Sequence, residues 1–526
     1  MSAINGKTLL VSTAFLLLCG LSICAKANTR TQVHSESESE TVKNKPNIVI
    51  FYVDDLGYND IGANGGTQVS TPNIDQLASK GIRFTDAHSS SATCTPSRYS
   101  LLTGEYAFRN NAAVLPGDAP LIIDVNKPTL PNMLSKAGYT SAMVGKWHLG
   151  LGDGESPVDW NQEVKPGPRQ VGFDYSFILP STGDRVPSVY MENGRVLNLD
   201  PMDPLKISYV EKIGQRPTGR ENPELLRQQA DNQHSDTIIN GISRIGFMQG
   251  GKSAEWKDEE FYQVFTDKAN HFIEQNAKKP FFLFFSFHDI HVPRLPNERF
   301  LGKSPLGIRG DAIMQMDWIT GQIVSKLKEL NALDNTLIIF TSDNGPVLND
   351  GYEDGADETL NLHQPGGIYR GGKYSAYEAG TRVPTIVHYP AKVQAGISDA
   401  LVSQIDIYAS LAAMLNIELD DKEAIDSQDY LATWLNSNAD GRTDLIEESY
   451  TLALRSGNWK FIAPTSKVNL WIANDKGIES GMATTAQLFN LKNDPQEQRN
   501  LFKKHPEMGR QFEKRINKII QKTTRH

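Results

Sequence analysis

Four runs of consecutive apolar residues constrain the fold of this chain more than any other feature of its sequence. They cover residues 48–53, 140–144, 281–287 and 337–341. Runs without the polar alternation of a half-exposed strand are typical of strands covered on both faces in a parallel sheet. Helical patterns lie between them, for example at residues 71–78 and 312–330. This alternation predicts an α/β fold with a large, mostly parallel central sheet flanked by helices.

The rest of the chain divides into a leader, a loop-rich middle and a C-terminal unit. The apolar run at residues 9–24 predicts a signal peptide over residues 1–27, and the Ser/Glu-rich residues 28–45 predict a disordered lead-in. Residues 153–251 are rich in Pro, Gly, Asp and Arg without periodicity, which indicates loops that build a binding rim. We assign residues 46–442 to the main domain and residues 443–526 to a small α+β domain.

The leader and the charge indicate where the protein works. The leader's apolar run is shorter than the ~20 residues of a spanning helix, and no other segment comes close. We therefore expect a secreted or periplasmic protein without a membrane span. A lipoprotein anchored at Cys24 is the alternative, although the bulky Ile23 disfavours it. A net charge of -9 and the absence of a long basic run exclude the usual footprint of a nucleic-acid binder.

A single cysteine remains once the leader is removed. Cys94 cannot form an internal disulfide, so it is reactive, chemically modified or simply a small buried side chain. In Cys94-Thr95-Pro96-Ser97-Arg98 the proline lies where a helix can begin, and Cys94 and Arg98 share one helical face. A helix N-terminus beside an arginine favours an anion. The segment therefore indicates an oxyanion-binding site.

Polar residues follow each apolar run, where ligands bind in open α/β sheets. They are found at residues 54–55, 145–148, 288–291 and 342–345. Asp54, Asp55, Asp343 and Asn344 offer only oxygen ligands, a set that suits a hard cation and calcium best. A zinc site would favour His or Cys. Lys146 and His148, two residues apart, point the same way in an extended segment and can share one ligand.

The Cys-x-Pro-x-Arg pattern at residues 94–98, followed by Leu-Leu-Thr-Gly, resembles the signature of the formylglycine-dependent sulfatases of the alkaline phosphatase superfamily. Similar stretches lie at residues 46–57, 71–104, 138–150, 281–293, 341–345 and 371–384, and at 454–460 and 488–495 near the C-terminus. The resemblance implies a sulfuric ester hydrolase whose catalytic domain is the main domain. It also implies that a formylglycine-generating (sulfatase-maturating) enzyme oxidises Cys94 to formylglycine.

The same resemblance implies a role for each site residue. One calcium ion would be bound by Asp54, Asp55, Asp343, Asn344 and residue 94. The sulfate oxygens would be held by calcium, Arg98, Lys146 and Lys373. Hydrated formylglycine at position 94 would attack sulfur, and His291 would protonate the leaving oxygen, helped by Lys373. His148 would then remove a proton from the second hydroxyl, which expels sulfate and restores the aldehyde.

The substrate is expected to be a sulfated carbohydrate, and its contacts are the weakest part of the sequence argument. The candidates are Thr182, Asp184, Arg185, Arg294 and His363, for which solvated loop positions are an equal alternative. Two other functions stay open. A phosphomonoesterase or phosphodiesterase of the same superfamily would use Ser or Thr and zinc ligands rich in histidine. A catalytically inactive glycan-binding homologue would lack the aldehyde. The sequence does not identify the sugar or the sulfate position.

Overall fold

The computed structural model describes residues 45–525, and the residues from Asn47 onward form one compact unit. The predicted signal peptide, and the predicted lead-in except for Lys45, lie outside the described residues. The predicted boundary between residues 442 and 443 stays a prediction. No helix in the described part of the chain is both long and apolar enough to cross a membrane.

The helices of the described residues carry the labels α1 to α10 in chain order. They are α1 Pro72–Lys80, α2 Cys94–Thr103, α3 Leu130–Lys136, α4 Phe261–Asn276, α5 Gly307–Glu329, α6 Glu378–Thr381, α7 Ile407–Met414, α8 Leu431–Leu435, α9 Leu470–Lys476 and α10 Pro506–Gln521. Short 3-10 helices lie at Gly62–Asn64, Ala107–Asn110, Pro223–Leu225, Lys252–Ala254, Asp258–Glu260, Leu333–Asn335, Asp357–Thr359 and Gln404–Asp406.

The strands are labelled in the same way. They are β1 Asn47–Val53, β2 Ile82–Phe84, β3 Ala87–His88, β4 Thr140–Lys146, β5 Tyr175–Leu179, β6 Met191–Glu192, β7 Arg195–Val196, β8 Lys206–Ser208, β9 Gln229–Ala230, β10 Ile238–Ile239, β11 Ile242–Ser243, β12 Phe247–Gln249, β13 Phe281–Ser286, β14 Thr336–Ser342, β15 Tyr352–Glu353, β16 Thr385–His388, β17 Gly396–Ser398, β18 Val402–Ser403, β19 Asp444–Glu448, β20 Leu452–Ser456, β21 Trp459–Ile462 and β22 Gln487–Asn490.

A ten-stranded sheet forms the centre of the molecule, in the order β17-β2-β16-β14-β1-β13-β4-β5-β6-β7. Its middle five strands, from β14 to β5, are parallel, and the edges add antiparallel pairs. The four apolar runs of the sequence are β1, β4, β13 and β14, so the predicted α/β class is confirmed. The sequence pattern did not reveal β5, which begins within the stretch expected to form loops.

Alternate residues of the central strands enter separate cores on the two faces of the sheet. In β1, Ile48 and Ile50 belong to one core and Val49 and Phe51 to the other. Helices α2, α3 and α7 contribute apolar residues to the first core, and α1, α4 and α5 contribute to the second. Burial on both faces explains why these strands are continuously apolar.

The C-terminal part contains a four-stranded antiparallel sheet in the order β19-β20-β21-β22. Helix α10 packs Phe512 and Ile516 against Ile446, Leu454 and Phe461 of this sheet. The α+β character predicted for this region is therefore present. Helix α9 lies in the segment between β21 and β22 and is not part of this sheet.

Candidate active site

Four parallel neighbours in the central sheet, β14, β1, β13 and β4, bring their carboxyl ends to one edge. The polar side chains found there are Asp54, Asp55, Lys146, His288, His291, Asp343 and Asn344, each at most 3% exposed. Gly145 has a φ of +110°, and a Cβ at this position would collide with the carbonyl of Ser286 on β13. Glycine therefore allows β4 to approach β13 closely just before Lys146.

The oxygen-rich residues form one cluster. Asp54, Asp55 and Asp343 each place a carboxylate oxygen within 4.8 Å of the others. Asn344 joins them because its Nδ2 donates to Asp55 Oδ1 at 2.7 Å. The buried Oδ1 atoms of Asp54 and Asn344 accept no hydrogen bond from any described residue. Buried oxygens without a donor are costly unless something else binds them, and oxygen atoms are the ligands of hard cations. The four residues fit a calcium-like ion.

Three buried cations neutralise the three carboxylates of this cluster. The shortest pairs are Arg98 with Asp343 at 2.7 Å, Lys373 with Asp55 at 2.9 Å, and Lys146 with Asp54. Because the cations match the carboxylates in number, adding a divalent cation would leave an excess of positive charge. Such an excess attracts an anionic group such as a sulfate ester.

Burial and neighbouring charge shift the pKa values of these carboxyl groups. Burial raises the pKa of Asp343 to about 7, and the adjacent Asp54 carboxylate adds to the rise. Burial likewise raises the pKa of Asp55. At Asp54 the effect of burial is outweighed, chiefly by the Lys146 ammonium, so the pKa lies well below its usual range. The cluster therefore crowds negative charge that a bound cation would stabilise.

Cys94 is the first residue of α2 and is 1% exposed. Its sulfur, a carboxylate oxygen of Asp54 and a ring nitrogen of His291 all lie within 4.8 Å of one another. Burial raises the pKa of the thiol to about 12, so the unmodified side chain is protonated and a weak nucleophile. Thr95 donates from its hydroxyl to the carbonyl of His148 at 3.0 Å, which ties α2 to the end of β4.

The two predicted catalytic histidines lie beside Cys94 on the cavity wall. Burial and Lys146 lower the pKa of both His148 and His291, which favours neutral rings. His148 Nε2 lies 3.1 Å from the carbonyl of Leu115, and its buried Nδ1 has no partner among the described residues. An Nε2–H that donates to this carbonyl leaves Nδ1 able to accept a proton. His291 Nδ1 lies 2.6 Å from the carbonyl of Val292, so by the same reasoning its Nε2 accepts.

These groups open into a cavity of about 560 Å³. The predicted residues on its wall are Cys94, His148, Asp184, Arg185, His291 and Lys373. Asp184 and Arg185 form an ion pair at 3.0 Å. Thr182 is buried and donates its hydroxyl to Asp184, so it supports the wall from behind. Arg98, also buried, contacts Asp343 and the carbonyl of Lys146.

The structure does not bring Arg294 and His363, both expected to bind substrate, to this cavity. Arg294 is 0% exposed, and its guanidinium donates to the carbonyls of Ile290, Val347 and Leu348 and to Asp354. His363 is 6% exposed and pairs with Asp60 at 2.8 Å. These polar groups are occupied within the fold, so we assign both residues a structural role.

Several residues on the cavity wall were not identified from the sequence. They are His234, Asp350, Tyr374, Trp471 and Lys476, among others. Asp350 connects them to the predicted site, because its Oδ2 accepts from Lys373 at 3.0 Å and its Oδ1 lies 3.1 Å from Lys476. No motif marks these positions, and they come together only through the fold.

Comparison with known protein families identifies a match to the Sulfatase family model over residues 46–417. Among curated proteins, the chain is 48% identical to an N-acetylgalactosamine-6-O-sulfatase of Bacteroides thetaiotaomicron, over 97% of this chain and 99% of that protein. It is also 28% identical to human arylsulfatase A, over 88% of this chain and 84% of that protein.

Solved structures give the same result. A structure from a study of glycosaminoglycan metabolism by Bacteroides thetaiotaomicron superposes with a TM-score of 0.89 and 49% identity, covering 91% of this chain and 100% of that one. A sulfatase from Pseudoalteromonas superposes with a TM-score of 0.67 and 27% identity, covering 93% of both chains. Both similarities span the central sheet and its polar edge.

Proposed function

The chain belongs to the sulfatase family and is a sulfuric ester hydrolase, and on that premise we propose that it removes the 6-O-sulfate of N-acetylgalactosamine in a sulfated glycan. One observation carries this choice of substrate. The relative that shares 48% of its residues over nearly the whole chain is an N-acetylgalactosamine-6-O-sulfatase. A cavity of about 560 Å³ is in the usual size range for small-ligand sites, roughly 300–1,000 Å³.

Residue 94 is proposed to act as formylglycine, made from Cys94 by a formylglycine-generating enzyme. A hydrated aldehyde supplies two hydroxyl groups, one to attack sulfur and one to expel sulfate afterwards. The position at the start of α2, beside Asp54 and His291, supports this role. The mature protein is proposed to be exported, in line with the leader sequence, to the periplasm or the surroundings of the cell.

The proposed cation is a single calcium ion held by Asp54, Asp55, Asp343, Asn344 and residue 94. The Oδ1 atoms of Asp54 and Asn344, which accept no hydrogen bond from residues 45–525, support this proposal. When bound, calcium would supply positive charge that polarises the sulfate group. Arg98 orients Asp343 through its two hydrogen bonds to Oδ2.

Two lysines and two histidines have separate proposed roles in neutralising sulfate charge and in transferring protons. Lys146 and Lys373 place ammonium groups against the carboxylates, where they can also neutralise sulfate oxygens. His291 is proposed to deliver a proton to the leaving sugar oxygen from its protonated state, which a bound anionic sulfate group would favour over the neutral ring of the ligand-free site, with Lys373 nearby. His148 lies on the same cavity wall, and its Nδ1 has no hydrogen-bond partner in the described part of the chain, which suits a base that takes the proton of the second hydroxyl on residue 94.

Asp184 and Arg185 are proposed to bind hydroxyl groups of the sugar. Both line the cavity, and the carboxylate is fixed by Thr182, Arg185 and His234. Burial and this pairing hold acceptor and donor groups in fixed positions, which is the arrangement that discriminates among sugar stereoisomers.

The proposal is tested with protein produced together with a formylglycine-generating enzyme. Ion chromatography measures the sulfate released from N-acetylgalactosamine 6-sulfate, its 4-sulfate isomer and N-acetylglucosamine 6-sulfate, and the phosphate released from N-acetylgalactosamine 6-phosphate. We expect release chiefly from the first compound. Equal release from the gluco isomer would contradict the sugar assignment, and hydrolysis of the phosphate alone would favour the phosphomonoesterase alternative.

A further inference from the structure

The C-terminal part of the chain contributes a wall of the active-site cavity. Helix α9 lies in the segment between β21 and β22, and Trp471, Asp475 and Lys476 line the same cavity as Cys94. The buried Ile472 packs α9 against a small apolar cluster that includes Tyr374 and Met482. This packing fixes α9 beside Tyr374, the residue that directly follows Lys373.

The ring of Trp471 contacts two tyrosine rings on this wall. The ring centroids of Tyr374 and Trp471 are 5.0 Å apart, and those of Tyr450 and Trp471 are 6.2 Å apart. Tyr374 is 9% exposed, whereas Tyr450 is 40% exposed. The rings therefore run from the buried end of the cavity, next to Lys373, toward its mouth.

Asp350 fixes this aromatic wall relative to the reacting groups. Its carboxylate lies 3.1 Å from Lys476 on α9, accepts from Lys373 at 3.0 Å and accepts from the Tyr374 hydroxyl at 3.0 Å. Because one carboxylate holds the helix, the ring and the lysine together, the wall is in place before a ligand binds. Preorganised walls of this kind lose little entropy on binding.

We propose that Trp471 and Tyr450 form a subsite for a second hexopyranose, joined to the anomeric oxygen of the sulfated sugar. This subsite rests on the proposed function. The sulfated carbon must lie at the inner end of the cavity, near Cys94, His291 and Lys373, so the rest of a glycan extends toward the mouth. Trp471 is partly exposed and Tyr450 is exposed, and accessible aromatic rings beside polar groups suit the apolar C–H face and the hydroxyl rim of a sugar ring.

The test compares kcat/KM for N-acetylgalactosamine 6-sulfate with kcat/KM for a disaccharide that carries this sugar at its non-reducing end. The wild-type protein is expected to favour the disaccharide by about tenfold, the effect of one good aromatic contact. Trp471→Ala should bring the ratio close to one, and Tyr450→Ala should lower it severalfold. Trp471→Phe should keep most of the preference.

Leu470→Ala serves as the matched control, because Leu470 lies on α9, is 66% exposed and does not line the cavity. It should leave both rates unchanged. Equal efficiency of the wild-type protein on the two sugars, or a preference that survives in both Trp471→Ala and Tyr450→Ala, would overturn the subsite alone. If the wild-type protein releases sulfate from neither sugar, both the proposed function and the subsite are overturned.

Discussion

Two buried clusters of charge in this molecule differ in how their oxygens are used. The site cluster consists of Asp54, Asp55, Arg98, Lys146, Asp343, Asn344 and Lys373. The C-terminal cluster consists of Asp86, His88, Glu378, Arg382, Glu447, Arg455, Lys460 and Glu497. The first lies at the polar edge of the central sheet beside the cavity, and the second connects β3 and α6 to the C-terminal sheet.

In the C-terminal cluster, each carboxylate oxygen lies near a positively charged or donating group. Glu378 contacts Arg455 at 2.9 Å and Lys460 at 3.1 Å, and Lys460 also pairs with Glu447 at 2.6 Å. The remaining Glu497 oxygen accepts from the backbone of Glu378 at 2.7 Å. Both clusters keep buried oxygens that accept no hydrogen bond from the described residues: Oδ1 of Asp54 and Oδ1 of Asn344 in the site cluster, and both Glu447 oxygens and Glu497 Oε1 in the C-terminal cluster. The clusters differ in what surrounds these oxygens. Those of the C-terminal cluster lie in ion-pair range of Lys460 or His88, which indicates a structural network, whereas those of the site cluster belong to an oxygen-rich group beside Cys94 and the cavity, which indicates a ligand site.

The largest effect is expected at position 94. Cys94→Ala should lower kcat by at least about 10,000-fold, because losing a nucleophile removes the whole covalent route. The melting temperature should change little, since only the small polar group at position 94 is lost. Sulfate release and thermal unfolding measured on one preparation test both expectations. Retained turnover in Cys94→Ala would contradict the catalytic role assigned to the region of the site cluster.

Lys460→Met should have the opposite effect to Cys94→Ala, a loss of stability with turnover retained. Removing one partner from a buried ion-pair network leaves uncompensated carboxylates and costs about 3–5 kcal/mol of unfolding free energy. Turnover per folded molecule should remain, because Lys460 does not line the cavity. Chemical denaturation measures the loss. The exposed Lys504→Met provides the control and should stay within about 0.5 kcal/mol of the wild type. A stable Lys460→Met variant would show that the C-terminal cluster contributes little to the fold.

Calcium should stabilise the protein through the site cluster and not through the C-terminal cluster. At about 100 times its dissociation constant, calcium is expected to stabilise the wild-type protein by ~2.7 kcal/mol. Asp343→Asn should reduce this gain strongly, because one charged ligand is lost, whereas Lys460→Met should keep it. Melting curves with calcium and with a chelator provide the measurement. The same melting curve under both conditions for the wild-type protein would contradict the assigned ligand set.

A pH-dependent effect on stability is expected from Glu448, which neighbours Glu447 but has no ion pair among the described residues. Burial raises the pKa of Glu448 to about 8. Above its ordinary value of about 4.3, the unfolded chain releases a proton that the folded protein keeps, so stability falls as pH rises toward about 8. The slope contributed by this group is at most about 1.4 kcal/mol per pH unit. Glu448→Gln should flatten the decline between about pH 5 and pH 8 in denaturant titrations, and an unchanged slope would refute this interpretation.

The sequence predicted the central sheet and most of the site cluster because both depend on local patterns, whereas Lys373 was predicted only through the resemblance to the sulfatase family. Continuous apolar runs indicate buried parallel strands, and the residues that follow them lie at one edge by geometry. Asp54 and Asp343 could therefore be placed together although they are far apart in the chain.

Other features were hidden because they depend on long-range packing. Asp350 pairs with Lys476, and Glu378 pairs with Arg455, across segments that are far apart in the chain, and no local pattern predicts these pairs. Arg294 was expected to contact the substrate, but the fold surrounds its guanidinium with backbone carbonyls.

The most direct test of this account is the chemical state of residue 94 in active protein. The protein is produced with a formylglycine-generating enzyme, digested with trypsin, and the peptide that ends at Arg98 is analysed by mass spectrometry. We expect an aldehyde in place of the thiol, in a fraction that rises and falls with specific activity across preparations. Fully active protein with an intact thiol at Cys94 would contradict the account.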